Sequence, residues 1–162
     1  MNAFKHILVA TDFGEASERA LDVAVTMAEK FGAQLTLLHA SWIPPVYDAY
    51  GQGFDWHTDE MTSAAKKELA ATIVKAKERY PTADGLVVTA EPWDAILRIA
   101  KARGADLIVM GTHGRRGLSR VFLGSVAEKV VRLSPIPVLT VSGKADQESK
   151  ETSLAAASTG TV

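Results

Sequence analysis

Short apolar runs alternate along this chain with longer stretches whose apolar positions recur every three or four residues. His6-Ile7-Leu8-Val9-Ala10 is the first run and predicts a buried strand. Thr11 to Glu15 breaks the pattern. A helix is predicted from there to about Phe31, with Ala16, Ala20, Val23, Ala24, Met27 and Phe31 on one face. Gly32 stands where a helix-terminating glycine belongs. Gln34 to Ala40 predicts the second strand, so the chain opens as strand, helix, strand, the arrangement of a parallel crossover. Thr58 to Tyr80 reads as a long helix ended by Pro81, and Leu86 to Ala90 as the third strand. Pro92 to about Ala102 is a helix with proline in its first turn and Gly104 just past its end. Ala105 to Met110 predicts the fourth strand. The last helix begins at Ser125, with apolar positions 126, 127, 130, 131 and 133 on one face, and Val138 to Val141 is the fifth strand. Five strands alternating with four helices imply a three-layer α/β/α sandwich on a parallel sheet.

Three stretches stand outside this alternation. Residues 41–58 carry Pro44, Pro45, Gly51 and Gly53, which argue against regular structure, together with Trp42, Tyr47, Tyr50, Phe54 and Trp56, which argue against a purely solvated linker. A docked lid or partner-contact loop is the expectation. From Gly143 to Val162 the chain is small, polar and alanine-rich without periodicity, and a disordered tail is expected. The third stretch is Gly111-Thr112-His113-Gly114-Arg115-Arg116-Gly117-Leu118-Ser119-Arg120-Val121-Phe122-Leu123-Gly124-Ser125, a glycine-rich link between a buried strand and a helix.

That context suits an anion. Glycines let backbone N–H groups approach a phosphate, and a helix N-terminus offers unpaired donors and a positive dipole end. Arg115, Arg116 and Arg120 add positive charge. The stretch is neither a Walker loop, which needs Gly-Lys-Ser/Thr, nor the more closely spaced dinucleotide fingerprint. Ser125 and Glu128 have the spacing of a capping box, which gives the Ser125 hydroxyl a capping role compatible with phosphate contact. Asp12, at the end of the first strand, is open to two readings. It caps the following helix with Glu15 reaching back, or it meets ribose hydroxyls or a phosphate-bound metal, because beside a phosphate loop it would repel phosphate itself. His113 is either a solvent-facing loop residue or a phosphate donor, and His39 is open between a place in the site and plain strand packing.

The loop spacing is Gly, two residues, Gly, nine residues, Gly-Ser, and it resembles the ATP-binding signature of the universal stress protein family. Ile7 to Asp12 resembles that family's first strand and its nucleotide-contacting aspartate, Ala105 to Gly111 its fourth strand, and Ser134 to Val141 its last. The resemblance covers roughly residues 4–142 and implies a Rossmann-like sheet of order 3-2-1-4-5, of the adenine nucleotide alpha hydrolase-like type. In that order strands 1 and 4 adjoin at the switch point, where ligands of such sheets bind. The implied nucleotide site joins Thr11, Asp12, Gly111, His113, Gly114 and Arg115 to Gly124, Ser125 and Val126, with Ala10, Ala40 and Met110 as the adenine slot. Strand 5 would then be an edge. Val138, Leu139, Thr140 and Val141 carry no charge to protect it, so a homodimer through that strand is expected, as the resemblance also implies.

Composition narrows the alternatives. The 162 residues allow one domain with a full core, taken as 1–142, and the net charge of −1 gives no reason to expect nucleic acid. Without cysteine there is no disulfide, thiol catalysis or Cys-based zinc site. Lys5 and His6 interrupt any signal-peptide core, and no apolar run approaches the roughly 18 residues of a membrane span, so a cytoplasmic location is expected. No recognisable nucleophile–base–acid set marks a catalyst. The leading expectation is an ATP-binding universal stress protein using the nucleotide as structural ligand or switch, with Mg²⁺ or Mn²⁺ held mainly by the phosphates. Weak ATP hydrolysis or autophosphorylation at Ser125 or Ser119 is the second, and a dimeric interaction scaffold without turnover the third.

Overall fold

The computed structural model describes residues 4–42, 46–47, 53–54, 58–112 and 123–143. The elements are β1 (His6–Ala10), α1 (Glu15–Phe31), β2 (Gln34–Ser41), β3 (Val46–Tyr47), β4 (Gly53–Phe54), α2 (Thr58–Arg79), β5 (Asp84–Thr89), α3 (Pro92–Arg103), β6 (Leu107–Gly111), α4 (Ser125–Leu133) and β7 (Val138–Val141). The main sheet runs β5-β2-β1-β6-β7, all parallel, which is the order 3-2-1-4-5 once the small hairpin is set aside. The hairpin corrects the expectation of no regular structure between residues 41 and 58. Val46 and Tyr47 follow the two prolines and pair antiparallel with Phe54 and Gly53, a length at which one glycine in a strand is tolerated.

Strand alternation divides the core in two. Ile7, Val9, Leu35, Leu37, Leu107 and Val109 point to the face covered by α1 and α2, while Leu8, Ala10, Leu38, Ile108 and Met110 point to the face covered by α3 and α4. The α1 stripe is rotated from its predicted position. Ala16, Ala20, Ala24 and Ala28 form a buried i, i+4 ridge beside Ser17, Leu21 and Val25, and Val23 and Phe31 face outward. The small ridge lets the helix axis approach the sheet closely, and the bulky pair is displaced to the rim, where Phe31 meets Phe4 edge-on at 5.7 Å. Gly32 and Gly104 close α1 and α3 in the left-handed conformation, at φ 63° and 67°.

The amino end of the sheet is fastened by polar contacts, with the His6–Thr36 pair buried at their centre. The His6 ring reaches the Arg103 carbonyl through Nδ1 at 2.9 Å and Thr36 Oγ1 through Nε2 at 2.9 Å. Thr36 donates to Asp84 Oδ1 at 2.6 Å, and Asp84 Oδ2 meets Arg103 at 3.1 Å. The Asp106 carboxylate accepts the backbone N–H groups of Lys5 and His6. One network thus joins β1, β2, β5 and α3, and it satisfies polar groups whose burial would otherwise be costly.

Candidate functional site

At the opposite, carboxyl end the crossovers leave in opposite directions. From β1 the chain turns into α1 on one face, and β6 leads towards α4 on the other. The crevice between them is the switch point of this sheet. Ala10 pairs in register with Met110 on one side and Leu38 on the other. Ala40, two positions beyond Leu38, shares its face, so the three residues of the expected adenine slot lie on the α3/α4 side of the sheet. Ala10 and Met110 are buried, and Ala40 is half-buried. Trp93, at the start of α3, packs against the same cluster, and Lys129 of α4 places Nζ 5.3 Å from its ring centroid.

Thr11 to Gly14 form a tight turn between β1 and α1. Thr11 N–H donates to the Leu38 carbonyl, and Thr11 Oγ1 accepts the Phe13 N–H at 3.0 Å. Asp12 Oδ1 accepts the Gly14 N–H at 3.0 Å, and Ser17 Oγ donates to the Gly14 carbonyl at 2.8 Å. The N-cap of α1 is therefore Gly14, and Asp12 supports the turn before it without capping the helix, which corrects the capping alternative. Phe13 has φ 62°, the one non-glycine residue in the left-handed region among those described.

The helix cap on the other wall also differs from expectation. Gly124 is the N-cap of α4, Ser125 is the first helical residue, and no side chain caps the end. Glu128 pairs with Arg132 at 3.3 Å, so the capping box does not form. The backbone takes its place: Gly124 N–H donates to the Thr112 carbonyl at 2.7 Å, and the Gly124 carbonyl accepts the Glu128 N–H. Thr112 N–H in turn donates to the Val141 carbonyl at 2.9 Å. The α4 N-terminus, whose first-turn N–H groups have no intrahelical acceptors, is thereby set at the end of β6. Gly111 has a packing reason for its identity. A Cβ there would lie 2.9 Å from the Ala16 carbonyl carbon, the Ala16 Cβ and the Ser17 nitrogen.

Of the expected site residues, Ala10, Thr11, Asp12, Met110, Gly111, Gly124, Ser125, Val126 and Ala40 lie at this end of the sheet. His113, Gly114 and Arg115 lie outside the described residues, as do Arg116, Ser119, Arg120 and the tail beyond Gly143. Among the described residues no group of three or more His, Asp or Glu is placed to hold a metal ion, and no helix is long and apolar enough to cross a membrane. Phe13 and His39 belong to the site's architecture without any sequence signal: their rings stack at 4.4 Å, and His39 Nδ1 lies 2.8 Å from the Thr11 carbonyl.

Comparison with known proteins agrees with this geometry. The universal stress protein family model matches residues 3–142. Universal stress protein YxiE of Bacillus subtilis is 36% identical over 146 residues, covering 85% of this chain and 99% of that one. A universal stress protein of Thermus aquaticus, from the QAH/OAS sulfhydrylase 3′ region, is 39% identical over 143 residues, covering 85% and 98%. A universal stress protein solved in complex with cAMP superposes with a TM-score of 0.62 at 25% identity, covering 87% and 98%. The chain belongs to the universal stress protein family.

Proposed function

We propose that the crevice binds ATP, and that the nucleotide acts as a structural ligand or switch in a stress response of the cytoplasm. One observation carries the reading. The Gly124–Thr112 hydrogen bond sets the open N-terminus of α4 at the carboxyl end of β6, next to β1, whose following turn carries Asp12. Phosphate fits the N–H groups of that first turn, adenine the small apolar face of Ala10, Ala40 and Met110, and ribose the Asp12 carboxylate. The related protein solved with cAMP supports an adenine nucleotide as the class of ligand. A Mg²⁺ or Mn²⁺ ion would be held mainly by the phosphates. Denaturing the purified protein should release an adenine nucleotide identifiable by mass. Asp12→Ala should weaken ATP and AMP alike, by roughly 10- to 100-fold if a charge-assisted hydrogen bond to ribose is lost. A loss confined to ATP would move Asp12 to the triphosphate or its metal; an unchanged affinity for both would leave it only the turn.

The same reading makes the protein a homodimer through β7. The strand is an edge, and Val131 and Leu133 of the adjoining α4 expose further apolar surface. The carbonyls of Pro137 and Val141 accept from β6, so by alternation Leu139 also faces β6. Val138 and Thr140 face the open edge. Proline is tolerated where an edge N–H points outward, so Thr140→Pro should keep the fold and remove a donor from the dimer ladder. Light scattering at micromolar concentration should show a wild-type dimer and a Thr140→Pro monomer. A wild-type monomer overturns the dimer, and a dimer indifferent to the substitution moves its interface away from β7.

A further inference from the structure

His39 shares the strand face of Leu35 and Leu37, towards α1 and α2, whereas the proposed adenine slot lies on the opposite face. The side chain therefore does not line that slot. It reaches the turn that carries Asp12. The Thr11 carbonyl can only accept, so the His39 Nδ1 donates to it, at 2.8 Å. The same ring stacks on Phe13 with a 4.4 Å centroid separation and a 27° interplanar angle. Phe13 holds φ 62°, a conformation that disfavours side chains with a Cβ. One imidazole thus grips the residue before Asp12 through its carbonyl and the residue after it through its ring.

We infer that His39 is a positioning residue of the nucleotide site: it clamps Thr11 and Phe13 and so fixes the direction of the Asp12 carboxylate. The inference rests on the nucleotide reading of the crevice. Left-handed backbone at a residue with a Cβ is a strained state that persists only where neighbours hold it. Thr11 Oγ1 and Asp12 Oδ1 supply hydrogen bonds from within the turn, the Thr11 N–H is tied to the Leu38 carbonyl, and His39 adds a side-chain hold from the same strand that reaches both Thr11 and Phe13. Without it the turn populates conformers in which Asp12 points elsewhere, and apparent affinity falls by the fraction that remains competent.

The test is a double-mutant cycle between His39→Ala and Phe13→Gly on the full-length protein. Calorimetry reads ATP and AMP affinity, and hydrogen exchange reads the Phe13 and Gly14 amides without nucleotide. In the wild-type background His39→Ala should raise both dissociation constants by about tenfold and speed exchange at both amides. Glycine adopts φ 62° without penalty, so in the Phe13→Gly background the same substitution should change affinity by less than about twofold. His39→Asn, whose amide N–H can replace the Nδ1 donor, should recover part of the affinity lost in His39→Ala. Equal effects in both backgrounds, or exchange at Phe13 and Gly14 unchanged by His39→Ala, overturn the clamp. Asp12→Ala separates this outcome from a failure of the nucleotide reading. If that variant binds as the wild type does, the turn is not the ribose site, and the exchange rates alone decide whether His39 holds it.

Discussion

Replacing Gly111 with valine should lower the melting temperature by on the order of 10 °C. The glycine lies at the last position of β6, where the first turn of α1 crosses. Two of the three atoms a Cβ would meet at 2.9 Å are backbone, the Ala16 carbonyl carbon and the Ser17 nitrogen. They cannot swing aside as a flexible side chain would. Moving α1 outward would strip the alanine ridge from the sheet and pull Ser17 from its bond with Thr11. Overpacking costs roughly 1–3 kcal/mol where side chains can adjust, and the upper end or more is expected against backbone. For a domain of this size about 3 kcal/mol corresponds to a fall near 10 °C. Gly111→Ala should show a smaller fall in the same direction. A valine variant melting within about 2 °C of the wild type would mean that α1 and β6 are not this close. The effect should appear without nucleotide, which separates packing at Gly111 from any contact with phosphate.

Gly124→Leu should do the reverse: it should abolish ATP binding and leave the fold almost intact. Gly124 has φ −58° and ψ 154°, a backbone that leucine adopts readily. Its N–H and carbonyl bonds, to Thr112 and from Glu128, survive the substitution. The new side chain stands at the mouth of the α4 N-terminus, where phosphate is proposed to meet the first-turn N–H groups. Loss of charge-assisted hydrogen bonds there should weaken ATP on the order of 100-fold or more, against a stability cost of about 1 kcal/mol for a poorer cap residue. Calorimetry and far-UV circular dichroism together decide the point. Unchanged ATP affinity with unchanged helicity would remove phosphate from this helix end.

The contrast between these two glycines marks how much was legible in the sequence. Strand order followed from the family resemblance, and element boundaries from the alternation of apolar runs with Gly32, Pro81, Pro92 and Gly104 as punctuation. The convergence of Asp12 with Gly111 and Gly124 followed from that order. The reason for each glycine did not. Spacing alone cannot distinguish a glycine that leaves room for α1 from one that leaves room for a ligand, because close backbone approach selects the same residue in both cases. Caps were misplaced for a related reason. Ser125 and Glu128 satisfy a local pattern, but the Gly124–Thr112 bond joins opposite ends of the glycine-rich stretch, and a short capping pattern does not register it. The α1 face was misread because the apolar pattern does not say which side of the alanine row meets the sheet: Leu21 and Val25 are buried beside it, while Val23 and Phe31 are exposed. His39 and Phe13 meet across two strand ends, and Leu139 and Thr140 differ only in which edge their N–H groups face. Neither relation has any trace in spacing.

The bond between Gly124 and the Thr112 carbonyl has a consequence for how such a protein can diversify. It pins together the two ends of the segment from His113 to Leu123, so the chain leaves the sheet and re-enters at α4 from a common anchor. The closure entropy of a loop grows slowly with its length, about 0.6 kcal/mol per doubling. Residues could therefore be exchanged, inserted or removed between the anchors while the helix that follows keeps its place. The scaffold and the sequence between the anchors become separately editable. That makes this segment a place to graft a foreign loop, with the Thr112 and Gly124 anchors left untouched.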